Sequence, residues 1–151
     1  MSLCLLLIDD GREDYLSRCL ASLESAQDAI DETVTVQDPN HVLGFAGAIE
    51  RGWEQVRALD CDWVFHVEGD FTFPTRPPLE GMIALLRERE DLAQVALKRQ
   101  AVNQRELAAG GVVEADPDDF ATHYSNVAVW TEHRRFFTTN PSVYPASLCE
   151  L

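Results

Sequence analysis

The sequence predicts an α/β domain with a mainly parallel sheet between layers of helix, and three observations predict it. First, apolar β-prone runs alternate with helical patterns between Leu3 and Asp70, in the order strand, helix, strand, helix, strand. Second, the connections are only a few residues long, so successive strands must lie parallel, joined by right-handed helical crossovers. Third, the strands end in acids: Asp9-Asp10, Asp38 and Glu68-Gly69-Asp70. In a parallel sheet these acids gather on one edge, the edge beyond which open α/β sheets bind ligands.

Each element has its own signal. Leu3 to Ile8 is a short apolar run closed by Asp9-Asp10-Gly11-Arg12, the pattern of a buried strand. Tyr15, Leu16, Cys19, Leu20 and Leu23 mark a helical face, with Asp14 as its expected N-cap. Thr33 to Gln37 is β-rich and bounded by Asp38-Pro39-Asn40, which predicts a second strand. The second helix is expected from about Gly44, with Ala46, Ile49, Trp53 and Val56 as its apolar stripe. Trp63 to Val67 predicts the third strand, and its end in two acids organises the rest of the chain. Pro74, Pro77 and Pro78 then break the chain before a third helix, whose apolar face is Leu79, Met82, Ile83 and Leu86. Leu92 to Leu97 is expected to be a fourth strand, ending in Lys98-Arg99. Beyond it the pattern weakens. Ala108 to Gly111 and Ala115 to Asp119 are turn-like, Asn126 to Thr131 is strand-like, and Asn140-Pro141 predicts a short helix toward Cys149.

Composition narrows the function. A chain of 151 residues, 46% hydrophobic and 25% charged, is expected to form one globular domain. Its formal net charge is −14, from 26 acidic and 12 basic residues, a field that repels nucleic acids and anionic membranes. A phosphorylated ligand would need local cations in such a field, and a bound metal ion would supply them. The four cysteines show no C-x-x-C spacing, and three lie in apolar patterns, so they are expected to be reduced buried thiols in the cytoplasm. No segment is long enough to span a membrane, and Leu3 to Ile8 lacks the basic flank of a signal peptide. No P-loop, dinucleotide-binding glycine fingerprint or Ser–His–Asp arrangement occurs.

Two carboxylates at the end of a buried strand are costly unless something positive meets them. Glu68-Gly69-Asp70 is therefore a candidate seat for a divalent cation with a phosphorylated ligand, although an ordinary acidic turn has the same letters.

Taken together, these residues resemble the donor-binding half of a GT-A glycosyltransferase of the family-two kind. Leu3 to Arg12 resembles the first strand and nucleotide-binding loop, and Asp38 the acid after the second strand. Asn40 to Ala48 resembles the segment that opens the next helix, and Glu68-Gly69-Asp70 stands where a D-x-D motif would be. The likeness is good over residues 3–100 and loose beyond. It implies a GT-A-like, Rossmann-type three-layer sandwich, with residues 1–100 as the donor half and 101–151 as a partial acceptor half. It implies a metal-dependent transfer of sugar from a UDP- or GDP-linked donor to an unidentified acceptor. Asp70 would ligate Mn²⁺ or Mg²⁺; Glu68 would meet the ribose or sugar; Asp10, Gly11, Arg12, Asp38 and Gly44 would line the nucleotide. Lys98 or Arg99 would assist at the phosphates or simply end a strand. The catalytic base is not identified: Glu132-His133 is the only acid–His pair in the later half, and a surface or structural role suits it better. Domains of this family generally run longer, so the rival expectation is a non-catalytic nucleotide-sugar-binding or assembly module. An apolar surface exposed by a shortened domain would favour self-association. His66 is expected to be a hydrogen-bonded core residue, and His41 and His123 are not expected to be ligands.

Overall fold

The structure, a computed structural model, describes residues 1–97, 118, 120–124, 129–134 and 137–150. By proximity the chain divides into two units: residues 1–97 with 138–151, and residues 98–137.

The first unit is organised around β1 (Leu3–Asp9), in which every residue is buried. β1 lies between β2 (Glu32–Gln37) and β3 (Trp63–Glu68), parallel to both, with Leu6 opposite Val34 on one side and His66 on the other. A strand covered on both faces reads as a continuous apolar run, which is why its six apolar letters do not alternate with polar ones. On one face Leu3, Leu5, Leu7, Phe65 and Val67 pack with Cys19 and Leu23 of α1 (Glu13–Leu23) and with α3 (Leu79–Glu88). On the other, Cys4, Leu6, Ile8, Val34, Val36 and Val64 pack against α2 (Gly44–Val56). Helices thus cover both faces of the sheet, and the expected α/β three-layer architecture is the observed one.

Several local expectations are corrected. α1 begins at Glu13 with Arg12 at the cap position and no side-chain cap; Asp14 lies inside the first turn, where an acid meets the positive helix end. Tyr15 and Leu20 are 42% and 46% exposed, so the inward face of α1 is the narrower Leu16, Cys19 and Leu23. The buried stripe of α2 is Ala48, Gly52 and Val56; Ala46 is exposed, and Ile49 and Trp53 are half-buried. Gly52 explains the shift, because a Cβ there would lie 2.6 Å from Leu6 Cδ1, so its absence lets the helix backbone sit directly on the sheet.

The sheet order is β2-β1-β3-β7-β4, where β4 is only Val95–Ala96 and β7 is Ser142–Pro145. β7 runs antiparallel to both neighbours. Where a helix was expected after Asn140-Pro141, the chain therefore forms a strand, followed by a 3₁₀ turn over Ala146–Glu150. The fully buried Tyr144 anchors it, its hydroxyl accepting from Trp53 Nε1 at 3.0 Å, and Arg57 donates to the Cys149 carbonyl at 2.8 Å. Cys4, Cys61 and Cys149 share this face, and burial pushes the Cys4 and Cys149 thiols up to about 12, so they stay protonated.

In the second unit, β5 (Ala121–Tyr124) and β6 (Val129–Glu132) form an antiparallel pair. The expected strand at Asn126 to Thr131 is met by β6 from Val129 onward; 126–128, Ala108 to Gly111, Ala115 to Pro117, Asp119, Lys98 and Arg99 lie outside the described residues. His123 stacks on Trp130 with centroids 5.4 Å apart, and both approach Glu132, His123 Nε2 at 3.4 Å and Trp130 Nε1 at 2.9 Å. His133 packs against Phe120. Glu132 and His133 hold the hairpin's side chains together.

Candidate functional site

Three strand ends build the site. At the end of β1, Asp9 is buried and accepts from the Gly11 amide at 2.9 Å and from Gln37 Nε2 at 3.2 Å. This draws the chain into a tight turn in which Gly11 has φ +86°, and a Cβ there would run into Pro39. Only glycine satisfies both demands. The turn presents Asp10 and Arg12 side by side. At the end of β2, the carboxylate of Asp38 accepts from the amides of Val42 (2.8 Å), Leu43 (3.1 Å) and Gly44 (3.0 Å). Asp38 thus caps the amino end of α2 from six residues away and takes the amides that an anion would otherwise meet. At the end of β3, the Gly69 amide donates to the Ile8 carbonyl at 2.8 Å, which ties the two strand ends together. The loop that follows is pinned: the Phe73 amide donates to Ser22 Oγ at 3.1 Å, the Phe73 ring packs on Phe65, and Arg76 pairs with Asp28 and Glu80.

These ends enclose a cleft of about 230 Å³, lined by Asp10, Arg12, Asp38, Gly44, Glu68 and Asp70 among others. Of Asp10, Gly11, Arg12, Asp38, Gly44, Glu68 and Asp70, expected to meet a nucleotide or metal, all but Gly11 line this one cleft, and Gly11 shapes the turn that presents two of them. His41, which was not expected to be a ligand, and Phe45, which the sequence did not indicate, also line it. His41 sits at φ +52°, a left-handed conformation uncommon for a residue with a side chain. The Asp-Pro-Asn turn before it was the only available hint.

Charge in the cleft is unevenly matched. Arg12 reaches Asp10 Oδ2 through Nε at 2.6 Å and Asp70 Oδ2 through a terminal nitrogen at 3.0 Å. Its guanidinium also lies 4.4 Å above the Tyr15 ring. The hydrogen bond from Arg12 holds Asp10 below the usual carboxylate range. Glu68, half-buried, goes the other way: burial first, then the charges of Asp70 and Asp10, raise its pKa, against a hydrogen bond with Thr139. Among the described residues, the cleft therefore has more negative charge than Arg12 balances.

Whether this donor set suits a divalent metal can be tested on its chemistry. Asp10, Glu68 and Asp70 offer hard oxygen ligands, the type Mg²⁺ and Mn²⁺ take. Among the described residues, no three His, Cys, Asp or Glu side chains are grouped so as to hold a metal ion by themselves. The fit is to an ion held by one or two carboxylates and completed by ligand phosphates and water, which is the usual habit of Mg²⁺.

His66 is buried as expected but, among the described residues, neither ring nitrogen has a hydrogen-bond partner; its ring meets Tyr144 edge-on, with centroids 6.4 Å apart. It does not line the cleft.

No protein-family model and no curated protein matches the chain. Among solved structures, the chain is similar to the crystal structure of S. aureus TarS 1-349, with a TM-score of 0.58 and 16% identity. The match covers 99% of this chain and 48% of that one, so this chain spans about half its length. The likeness concerns the fold, a GT-A-like Rossmann-type α/β sandwich. Among the described residues, no helix is long and apolar enough to cross a membrane.

Proposed function

We propose that the protein binds a UDP- or GDP-linked sugar in this cleft and transfers the sugar to an acceptor, with Mn²⁺ or Mg²⁺ held at Asp70. The observation that carries this reading is convergence: Asp10 and Arg12 after β1, Asp38 after β2, and Glu68 and Asp70 at the end of β3 line one cleft at the carboxyl edge of the parallel strands. The GT-A-like fold supports it. So does the surplus of carboxylates, because a diphosphate enters such a cleft only with added positive charge. The ion, when bound, would act as a Lewis acid on the departing nucleoside diphosphate. The chain's own residues do the rest. Asp10, Gly11 and Arg12 shape one wall of the nucleotide site, and Asp38 holds the 42–44 loop as the other. Glu68, half-buried with its pKa raised by burial, meets a ribose or sugar hydroxyl through a hydrogen bond. Buried, protonated thiols suit a reducing compartment, and the cytoplasm is part of the proposal.

Calorimetric titration of UDP and then GDP, with and without Mn²⁺, tests the donor site on wild type and Asp70→Ala. Metal-dependent binding that disappears in the variant is the expected result. Neither nucleotide binding under any condition would reduce the cleft to an acidic turn.

A second reading, a donor-binding module without transfer, has one observation in its favour. Asp9 and Asp38 are engaged with amide groups, Asp10 and Asp70 with Arg12, and Glu68 with Thr139, so among the described residues every carboxylate lining the cleft already has a partner. Release of nucleoside diphosphate from a nucleotide-sugar separates the two, since the module binds donor and releases none.

A further inference from the structure

The position of Arg12 carries an inference that rests on the donor-site reading and goes past it. Of the five carboxylates that line the cleft among the described residues, Arg12 holds two, Asp10 at 2.6 Å and Asp70 at 3.0 Å. Its place is fixed from three directions: by the Gly11 turn, by the two carboxylates and by the Tyr15 ring 4.4 Å beneath the guanidinium. The Arg12 and Asp70 side chains are 47% and 38% exposed, so this pairing is open to solvent and exchangeable. An exposed ion pair of this kind contributes little, and a divalent ion can replace it.

We infer that Arg12 is a resident counter-cation in the metal's seat: a divalent ion reaches Asp70 only by displacing it, and the displaced guanidinium becomes the cleft's receptor for the donor phosphates. Two consequences follow from charge alone. A metal ion arriving without nucleotide must compete with an attached cation whose local concentration never falls. A nucleotide diphosphate gives the guanidinium another partner, because Arg bonds phosphate through two N–H groups as readily as carboxylate. Metal and nucleotide therefore favour each other's binding, and by thermodynamic reciprocity each does so equally. In this role Arg12 is a positioning residue that governs metal entry, while Asp70 remains the metal ligand.

The test uses Mn²⁺ alone, with free ion measured by electron paramagnetic resonance, on wild type, Arg12→Gln and Asp70→Asn. Arg12→Gln is expected to bind Mn²⁺ roughly fivefold more tightly than wild type, the size expected when a weak ion pair no longer competes. Asp70→Asn is expected to lose the site in either background. Equal or weaker Mn²⁺ binding by Arg12→Gln, beside Asp70-dependent binding in wild type, overturns the inference and leaves the donor-site reading standing. Absence of Mn²⁺ binding in every variant, with UDP present, overturns both. Should Arg12→Gln fold poorly, the wild-type Arg12 Nε–H signal followed by NMR during Mg²⁺ titration serves instead. It is expected to shift as the ion pair opens, and a signal unchanged while Asp70-dependent Mg²⁺ binding saturates would refute displacement.

Discussion

His66 sits at 1% exposure with no protein partner for either nitrogen among the described residues, and burial lowers its pKa from 6.5 to about 4. The unfolded chain takes up a proton near pH 6.5, whereas the folded chain does so only near 4. Stability from this residue is therefore complete above about 6.5, falls as pH drops from 6.5 to 4, and changes no further below. The loss is on the order of 3 kcal/mol, from a shift of about 2.5 pH units at 1.36 kcal/mol each. Urea titrations at intervals across that window should show the decline, and His66→Leu should flatten it. Asp38 offers a second case. Its carboxylate serves three backbone amides, so Asp38→Ala should cost about 2 kcal/mol and speed hydrogen exchange at 42–44. Exchange at those amides unchanged from wild type would show that the cap is dispensable.

At the scale of elements, the contact of α2 with the sheet depends on a hydrogen atom at Gly52. Gly52→Ala should push the helix off Leu6 and destabilise the fold by about 1–3 kcal/mol, despite alanine's better helix propensity. Denaturation midpoints decide it, and a stabilised variant would mean the helix shifts freely. This contact also shows where sequence legibility ended. β1, β3 and α3 were readable because Leu, Val, Phe and Ile declare a buried face by their own hydropathy. The α2 stripe was right at Val56 and partly at Trp53 but missed Ala48 and Gly52, because these carry almost no hydropathy and their burial follows from being small. β7 was misread for another reason: Asn140-Pro141 is the same signal whether a helix or a strand follows. What selects the strand is the pairing of Val143 with Phe65 and Val95, both far away in sequence. The gathering of acids on one edge was legible as soon as the sheet was taken as parallel. That Asp38 would spend its carboxylate on amides, and that Arg12 would bridge Asp10 and Asp70, was not, since both depend on the turn geometry at Gly11 and on the 38–44 loop.

Across the whole molecule the formal charge of −14 opposes any anionic donor before contact. Screening should lessen that repulsion, because at about 0.1 M salt charges beyond about 10 Å are largely hidden. The association rate of UDP with the metal-loaded protein is therefore expected to rise with ionic strength toward about 0.15 M, opposite to the trend for a positively steered site. Stopped-flow measurements at two salt concentrations settle the sign. A falling rate would mean that a local cation, with Arg12 the obvious candidate, outweighs the field of the entire chain.

The place of β7 in the sheet has a consequence for biosynthesis. β1, β2 and β3 leave the ribosome well before the strand that covers the free side of β3, which is made of Ser142 to Pro145. Until those four residues emerge, Phe65 and His66 lie along an open, adhesive strand edge, the kind that pairs with other nascent chains. The sheet is therefore completed only when β7 follows the three parallel strands out of the ribosome. Substitutions in β7 should lower the yield of soluble chain more than their effect on the finished fold would suggest.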